Sequence, residues 1–221
     1  MSELLETLEI ETGPSPRAAV IWLHGLGADG HDFEPIVPEL EMPAAPGVRF
    51  VFPHAPLQPV TINGGAVMRA WYDVTGDGRQ DEAGIRASQA RVEALVARER
   101  ARGIAARSIV LAGFSQGGAM ALQAGLRHPE RLAGILALSG YLPLPEGLAD
   151  EVSQANRDVP IFMAHGTQDP VIPLSWATRS RDRLTALGYA IDWHEYPMPH
   201  SVCAEEIADI GRWVRGVLTA G

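Results

Sequence analysis

Residues 108–126 read SIVLAGFSQGGAMALQAGL, an apolar β-branched run, a Gly-x-Ser-x-Gly pentapeptide and then a stretch of helix-forming residues. A strand that passes straight into a helix needs a sharp turn, and the residue at its tip takes strained backbone angles. Bulk two positions either side would collide, so Gly113 and Gly117 flank Ser115, and Gly118 gives further room. A nearly continuous apolar strand is one buried on both faces of a parallel sheet. The segment therefore predicts a helix-covered parallel sheet, with Ser115 presented at its carboxyl edge and a helix N-terminus beneath to favour negative charge.

The rest of the chain repeats the alternation. Strands are expected at Ala18–Leu23, Val48–Phe52, Ser108–Ala112, Ala133–Leu138, Ile161–Ala164 and Ala190–Glu195. Helices are expected at Asp81–Arg102, Gln116–Leu126, Ser175–Leu187 and Ala204–Leu218, the first closed by Gly103. Strands and helices in alternation imply βαβ units and an α/β architecture, a mostly parallel central sheet with helices on both faces. The alternating run Leu4–Glu11 suits an antiparallel edge strand. Two stretches, Pro53–Trp71 and Tyr141–Asp158, are rich in turn formers and are expected to be loop. At 221 residues without repeats, residues 1–221 are expected to form one domain.

A serine hydroxyl is a weak nucleophile until a base takes its proton and an acid orients that base. When the serine sits on a strand-to-helix turn, the acid and then the histidine follow it in the chain. His165, His194 and His200 all lie after Ser115. His194 falls within a strand pattern. His200, in the turn after the last strand, is the expected base, with His165 the alternative. Asp169 follows the strand IFMA at the carboxyl edge where Ser115 also lies and is the expected acid, whereas Asp158 precedes that strand, and Asp182 and Asp192 belong to a helix and a strand face. Two backbone donors are needed for an oxyanion. The residue after the nucleophile supplies one, Gln116. The Gly-rich turn His24-Gly25-Leu26-Gly27 after the first buried strand offers the other, at Leu26, with His24 bracing the loop.

Composition narrows the partners. A net charge of −9 argues against nucleic acid and anionic membrane surfaces. Cys203 is the only cysteine, which excludes an internal disulfide and a cysteine zinc site and points to helix packing for that residue. The acidic start MSELLETLEIETG is not a signal peptide, and no apolar run reaches transmembrane length. A cytoplasmic protein without metal or cofactor is the expectation.

These motifs, read in order, resemble the phospholipase/carboxylesterase family of small carboxylesterases and acyl-protein thioesterases. The matching residues are IWLHGLGADGHDF (21–33), FPHAP (52–56), INGG (62–65), AWYD (70–73), GFSQGGAMAL (113–122), LSGYLP (138–143), AHGTQDPVIP (164–173) and Pro199-His200-Ser201. The segment GDGRQDEAGI (76–85) departs from the pattern and carries no specificity signal. The resemblance implies an α/β-hydrolase fold with no cap domain, a serine carboxylesterase acting on acyl esters, and possible activity on thioesters or lysophospholipids. It carries over Ser115, Asp169 and His200 as a triad, Leu26 and Gln116 as oxyanion donors, and a possible homodimer. An acyl-protein thioesterase or transacylase is the alternative, and a hydrolase-fold binding protein that has lost catalysis a remote one. Trp71, closing the long Pro53–Trp71 stretch, reads either as acyl-groove wall or as core, and Ile62 and Val171 as further pocket residues. Once the sheet and helices are assigned, the two irregular stretches leave about 35 residues, too few for a cap, so an open site shaded only by Pro53–Trp71 is expected.

Overall fold

The structure, a computed structural model, describes residues 4–219. Its strands are β1 (Thr7–Glu11), β2 (Ala18–Leu23), β3 (Val48–Pro53), β4 (Leu57–Val60), β5 (Ala66–Arg69), β6 (Ile109–Phe114), β7 (Gly134–Leu138), β8 (Ile161–Gly166) and β9 (Ile191–Tyr196). Its helices are α1 (Glu82–Ala101), α2 (Gln116–Arg127), α3 (Leu148–Glu151), α4 (Leu174–Ala186) and α5 (Ala204–Thr219), joined in places by single 3-10 turns. Seven strands form one sheet in the order β1-β3-β2-β6-β7-β8-β9, parallel throughout except for β1, which runs antiparallel to β3 at the edge.

Every residue of β2 and β7 is buried, because helices cover both sheet faces. Ala19, Ile21 and Leu23 point to the side of α1 and α2, where Val92, Leu95, Met120 and Leu122 meet them. Val20 and Trp22 point to the other side, against Phe33, Val37 and Leu40 and the α5 residues Ile210 and Val214. Helix α2 is buried from Gln116 to Leu126, which its small and apolar side chains permit.

The glycines of the β6–α2 turn set the approach of that helix. A Cβ on Gly113 would strike the Gly117 carbonyl, and one on Gly117 would strike the carbonyl of Leu23 at the end of β2. The chain order crosses from β3 over β2 to β6, so the carboxyl ends of β2 and β6 stand side by side at a topological switch point, where open α/β sheets bind ligands.

Two expectations are corrected. Pro53–Trp71 is not simply loop, since β4 and β5 form an antiparallel hairpin within it. Its glycines mark the turn, Gly64 and Gly65 both having positive φ, and Pro59 is tolerated because a two-stranded ribbon leaves one side of each strand unpaired. Tyr141–Asp158 likewise contains α3, whose Leu148 is buried in the core.

Gly117→Ala is expected to cost at least about 1–3 kcal/mol, because backbone cannot yield to the added methyl as a side chain would. Gly216→Ala, inside α5 with no atom within 4 Å of its added carbon, is expected instead to stabilise by about 0.5–1 kcal/mol. Urea unfolding of both variants measures the contrast.

Candidate active site

Ser115, His200 and Asp169 come from three different strand ends and meet over the carboxyl edge of the sheet. Ser115 follows β6 with φ 56° and ψ −119°. It is held there by a hydrogen bond from its own N–H to the Leu138 carbonyl (2.8 Å) and by its carbonyl, which accepts the Ala119 N–H (3.0 Å). His200, in the turn after β9, lies with Nε2 2.9 Å from Ser115 Oγ and Nδ1 2.6 Å from Asp169 Oδ2. Asp169, in the turn after β8, accepts the backbone N–H groups of Val171 (2.8 Å) and Ile172 (2.9 Å) on Oδ1. Its side chain is fully buried, while that of His200 is 15% exposed. The carboxylate is thus fixed by donors on both oxygens, while Ser115 and His200 reach the cleft.

His165 does not reach the serine. It is buried beside the acid, where Nε2–H donates to the Ile172 carbonyl (2.8 Å) and lies 3.3 Å from Asp169 Oδ2, so it buttresses the acid turn. His194 sits on β9 with Nε2 2.9 Å from Asp192 Oδ1, against Phe162. Cys203 is half-buried and packs on the core at the start of α5.

The segment after β2 brings Leu26 to the cleft beside Ser115 and Gln116. Neither the Leu26 nor the Gln116 backbone N–H has an acceptor among the described residues. The loop is braced on both sides. Gly27, at φ 78°, donates its N–H to the Arg69 carbonyl of β5 (2.8 Å). His24 accepts the Ala55 N–H on Nε2 (3.0 Å), so its proton resides on Nδ1, which donates to the Gly25 carbonyl (2.7 Å). In a trans peptide the N–H points opposite to the C=O. The imidazole on Gly25 C=O therefore turns the Leu26 N–H the other way.

The cleft has a volume of about 1270 Å³. Ile62 and Val171 line it and are largely exposed, with Trp176 from α4 and Tyr141 beside them in an edge-on ring contact at 5.5 Å. Trp71 does not line it. That residue is completely buried, because the chain entering α1 turns its indole inward under the loop of His24. Nor is the site shaded by Pro53–Trp71 alone, since Tyr141–Glu146 and Val171–Arg183 supply the opposite wall. The sequence reading missed Tyr141, Trp176, Arg179 and Arg183. A tryptophan seven residues beyond Asp169 was the available signal. Tyr72 and Tyr141 share a hydrogen bond (2.8 Å), and burial pushes both phenols above their ordinary range, so they remain un-ionised. Among the described residues no group of His, Cys, Asp and Glu side chains could hold a metal ion, and no helix is long and apolar enough to cross a membrane.

The sequence profile of the family described as Phospholipase/Carboxylesterase matches residues 6–218. Acyl-protein thioesterase 1 of Neurospora crassa is 44% identical over 202 residues, covering 86% of this chain and 82% of the relative. Acyl-protein thioesterase 1 of Yarrowia lipolytica is 40% identical over 205 residues, covering 89% and 90%. Among solved structures, Arabidopsis thaliana SOBER1 superposes with a TM-score of 0.87 at 31% identity, covering 91% of this chain and 99% of that one.

Burial also fixes the protonation of His24 in the loop after β2. Desolvation lowers the His24 pKa to about 4, against the weaker opposing pull of the Gly25 carbonyl. Below an unfolded value of about 6.5, the unfolded chain takes up a proton at this residue that the folded one refuses. Stability from His24 is therefore complete above pH 6.5 and lost as pH falls toward 4, by up to about 3 kcal/mol. The loss of unfolding free energy between pH 7 and 4 is expected to be smaller in His24→Gln than in the wild type. Identical slopes would contradict a neutral buried His24.

Proposed function

The chain belongs to the phospholipase/carboxylesterase family, and we propose that it hydrolyses acyl esters and thioesters through a covalent acyl-enzyme on Ser115. Membership makes it a serine hydrolase of the esterase class. The observation that carries the mechanism is the unbroken relay from Asp169 Oδ2 through His200 to Ser115 Oγ, with both steps within 3 Å.

His200 Nε2 removes the hydroxyl proton as Oγ attacks the acyl carbonyl carbon. Asp169 holds the Nδ1–H tautomer and stabilises the imidazolium that forms. The carbonyl oxygen becomes an oxyanion, received by the N–H groups of Leu26 and Gln116. These have no competing acceptor and need no reorganisation when charge develops. Collapse expels an alkoxide or thiolate, which takes the proton from His200 Nε2. Water then attacks the acyl-serine, with His200 again as base, and releases the carboxylic acid. No cofactor takes part in any step. The apolar residues Ile62, Val171 and Trp176 offer a surface for an acyl chain. Relatives named as acyl-protein thioesterases favour thioesters within this reading.

Ser115→Ala is expected to lower kcat by roughly 10⁵–10⁶-fold on both a p-nitrophenyl ester and an acyl thioester, without loss of the folded state. A purified, folded variant with near-wild-type turnover would refute the proposal. A panel of paired esters and thioesters of rising chain length, with that variant as blank, identifies the preferred substrate class.

A further inference from the structure

Trp71 is completely buried, yet both of its N–H groups are spent on the two segments that carry the oxyanion donors. Its indole Nε1–H donates to the His24 carbonyl (2.9 Å), at the base of the loop that presents Leu26. Its backbone N–H donates to Gln116 Oε1 (2.7 Å). Gln116 Nε2–H closes the ring of contacts by donating to the Tyr72 carbonyl (2.8 Å). Behind this, the Ser88 hydroxyl of α1 donates to the Trp71 carbonyl, and the His24 ring lies 5.4 Å from the indole. One residue thereby joins the ends of β2 and β6 to a helix of the core.

We propose that Trp71 is a positioning residue for acyl transfer, a strut that sets the spacing and direction of the Leu26 and Gln116 N–H groups. The inference rests on the reading of Ser115 as nucleophile. Its physical basis is the point at which the sheet stops. The ladder between β2 and β6 ends with Leu23 opposite Gly113. The donors belong to the segments beyond that point, so no sheet hydrogen bond relates one to the other. Trp71 ties both segments to itself, one hydrogen bond to each, from its side chain and its own amide.

An oxyanion hole acts by holding its donors in place before charge develops. The charge exists only in the transition state and tetrahedral intermediate, so loosening the strut is expected to lower kcat and leave KM nearly unchanged. A tryptophan that merely filled the core would affect stability and the fraction of folded protein instead.

The test is Trp71→Phe, which keeps an aromatic ring and removes the indole donor. With a p-nitrophenyl ester, kcat is expected to fall roughly 10- to 100-fold, a loss of the size that small misplacement of catalytic groups produces. KM should change by less than about twofold, since the ground-state carbonyl is held mainly through its acyl chain. The number of serines titrated by a fluorophosphonate should stay the same. Affinity for an alkyl trifluoromethyl ketone, whose adduct on Ser115 bears an oxyanion, should fall by the same factor as kcat. Near-wild-type kcat would overturn the proposal, as would a loss of activity matched by a loss of titratable serine. Should Trp71→Phe fail to fold, 3-benzothienylalanine at position 71 keeps the indole shape without its N–H and carries the same expectations. If Ser115→Ala is inactive while Trp71→Phe is wild type, this inference alone fails. Full activity of Ser115→Ala would instead remove the reading beneath it.

Discussion

Ser115 holds a backbone conformation, φ 56° and ψ −119°, that an L-residue adopts only under constraint, at a cost of order 1–3 kcal/mol. Much of the molecule can be understood as what keeps it there. The Ser115 N–H is tied to β7 and its carbonyl to α2, while Gly113 and Gly117 let that helix sit against the end of β2. Strain stored in this way persists only when the surroundings over-determine it, and burial of α2 from Gln116 to Leu126 provides that surplus. The turn delivers the hydroxyl toward the cleft and, in the same step, leaves the Gln116 N–H without an acceptor among the described residues.

The remaining groups are placed by a gradient of burial. Asp169 lies deepest, with donors on both carboxylate oxygens, His200 is partly exposed between Phe114 and the acid, and the cleft opens beyond Ser115. A fixed carboxylate confers a fixed tautomer, and a fixed tautomer leaves His200 Nε2 aimed at Ser115 Oγ. His165 adds a second layer by bonding the turn of Asp169, and His24 in its neutral form does the equivalent service for the loop after β2. Three histidines thus take different roles because burial and partners differ, although their residue type is the same.

The centre of the sheet was legible because its inner strands are buried on both faces, which leaves apolar runs; the bounds of β2 match the expected Ala18–Leu23. Ser115, Asp169 and His200 were legible because each follows a strand at the same edge, and the structure brings the three within hydrogen-bond reach. The β4–β5 hairpin was not, since Pro59 and a Gly-Gly pair read as breakers when nothing announces a two-stranded ribbon. Trp71, left open between groove wall and core, was undecided for a different reason. Residue type does not distinguish a tryptophan facing a groove from one hydrogen-bonded beneath a loop, a difference decided by residues as distant as His24 and Gln116. The wall formed by Tyr141, Trp176 and α4 depends on how α4 lies over the sheet, a tertiary relation that no local pattern contains.

The central claim is that an acyl group passes through Ser115. Rapid-quench mass spectrometry of the wild-type protein mixed with p-nitrophenyl butyrate tests it most directly. The account predicts a transient butyryl adduct on the peptide containing Ser115, formed as fast as the first equivalent of p-nitrophenol is released. Turnover with no adduct, or with the acyl group on another residue such as Cys203, would contradict it.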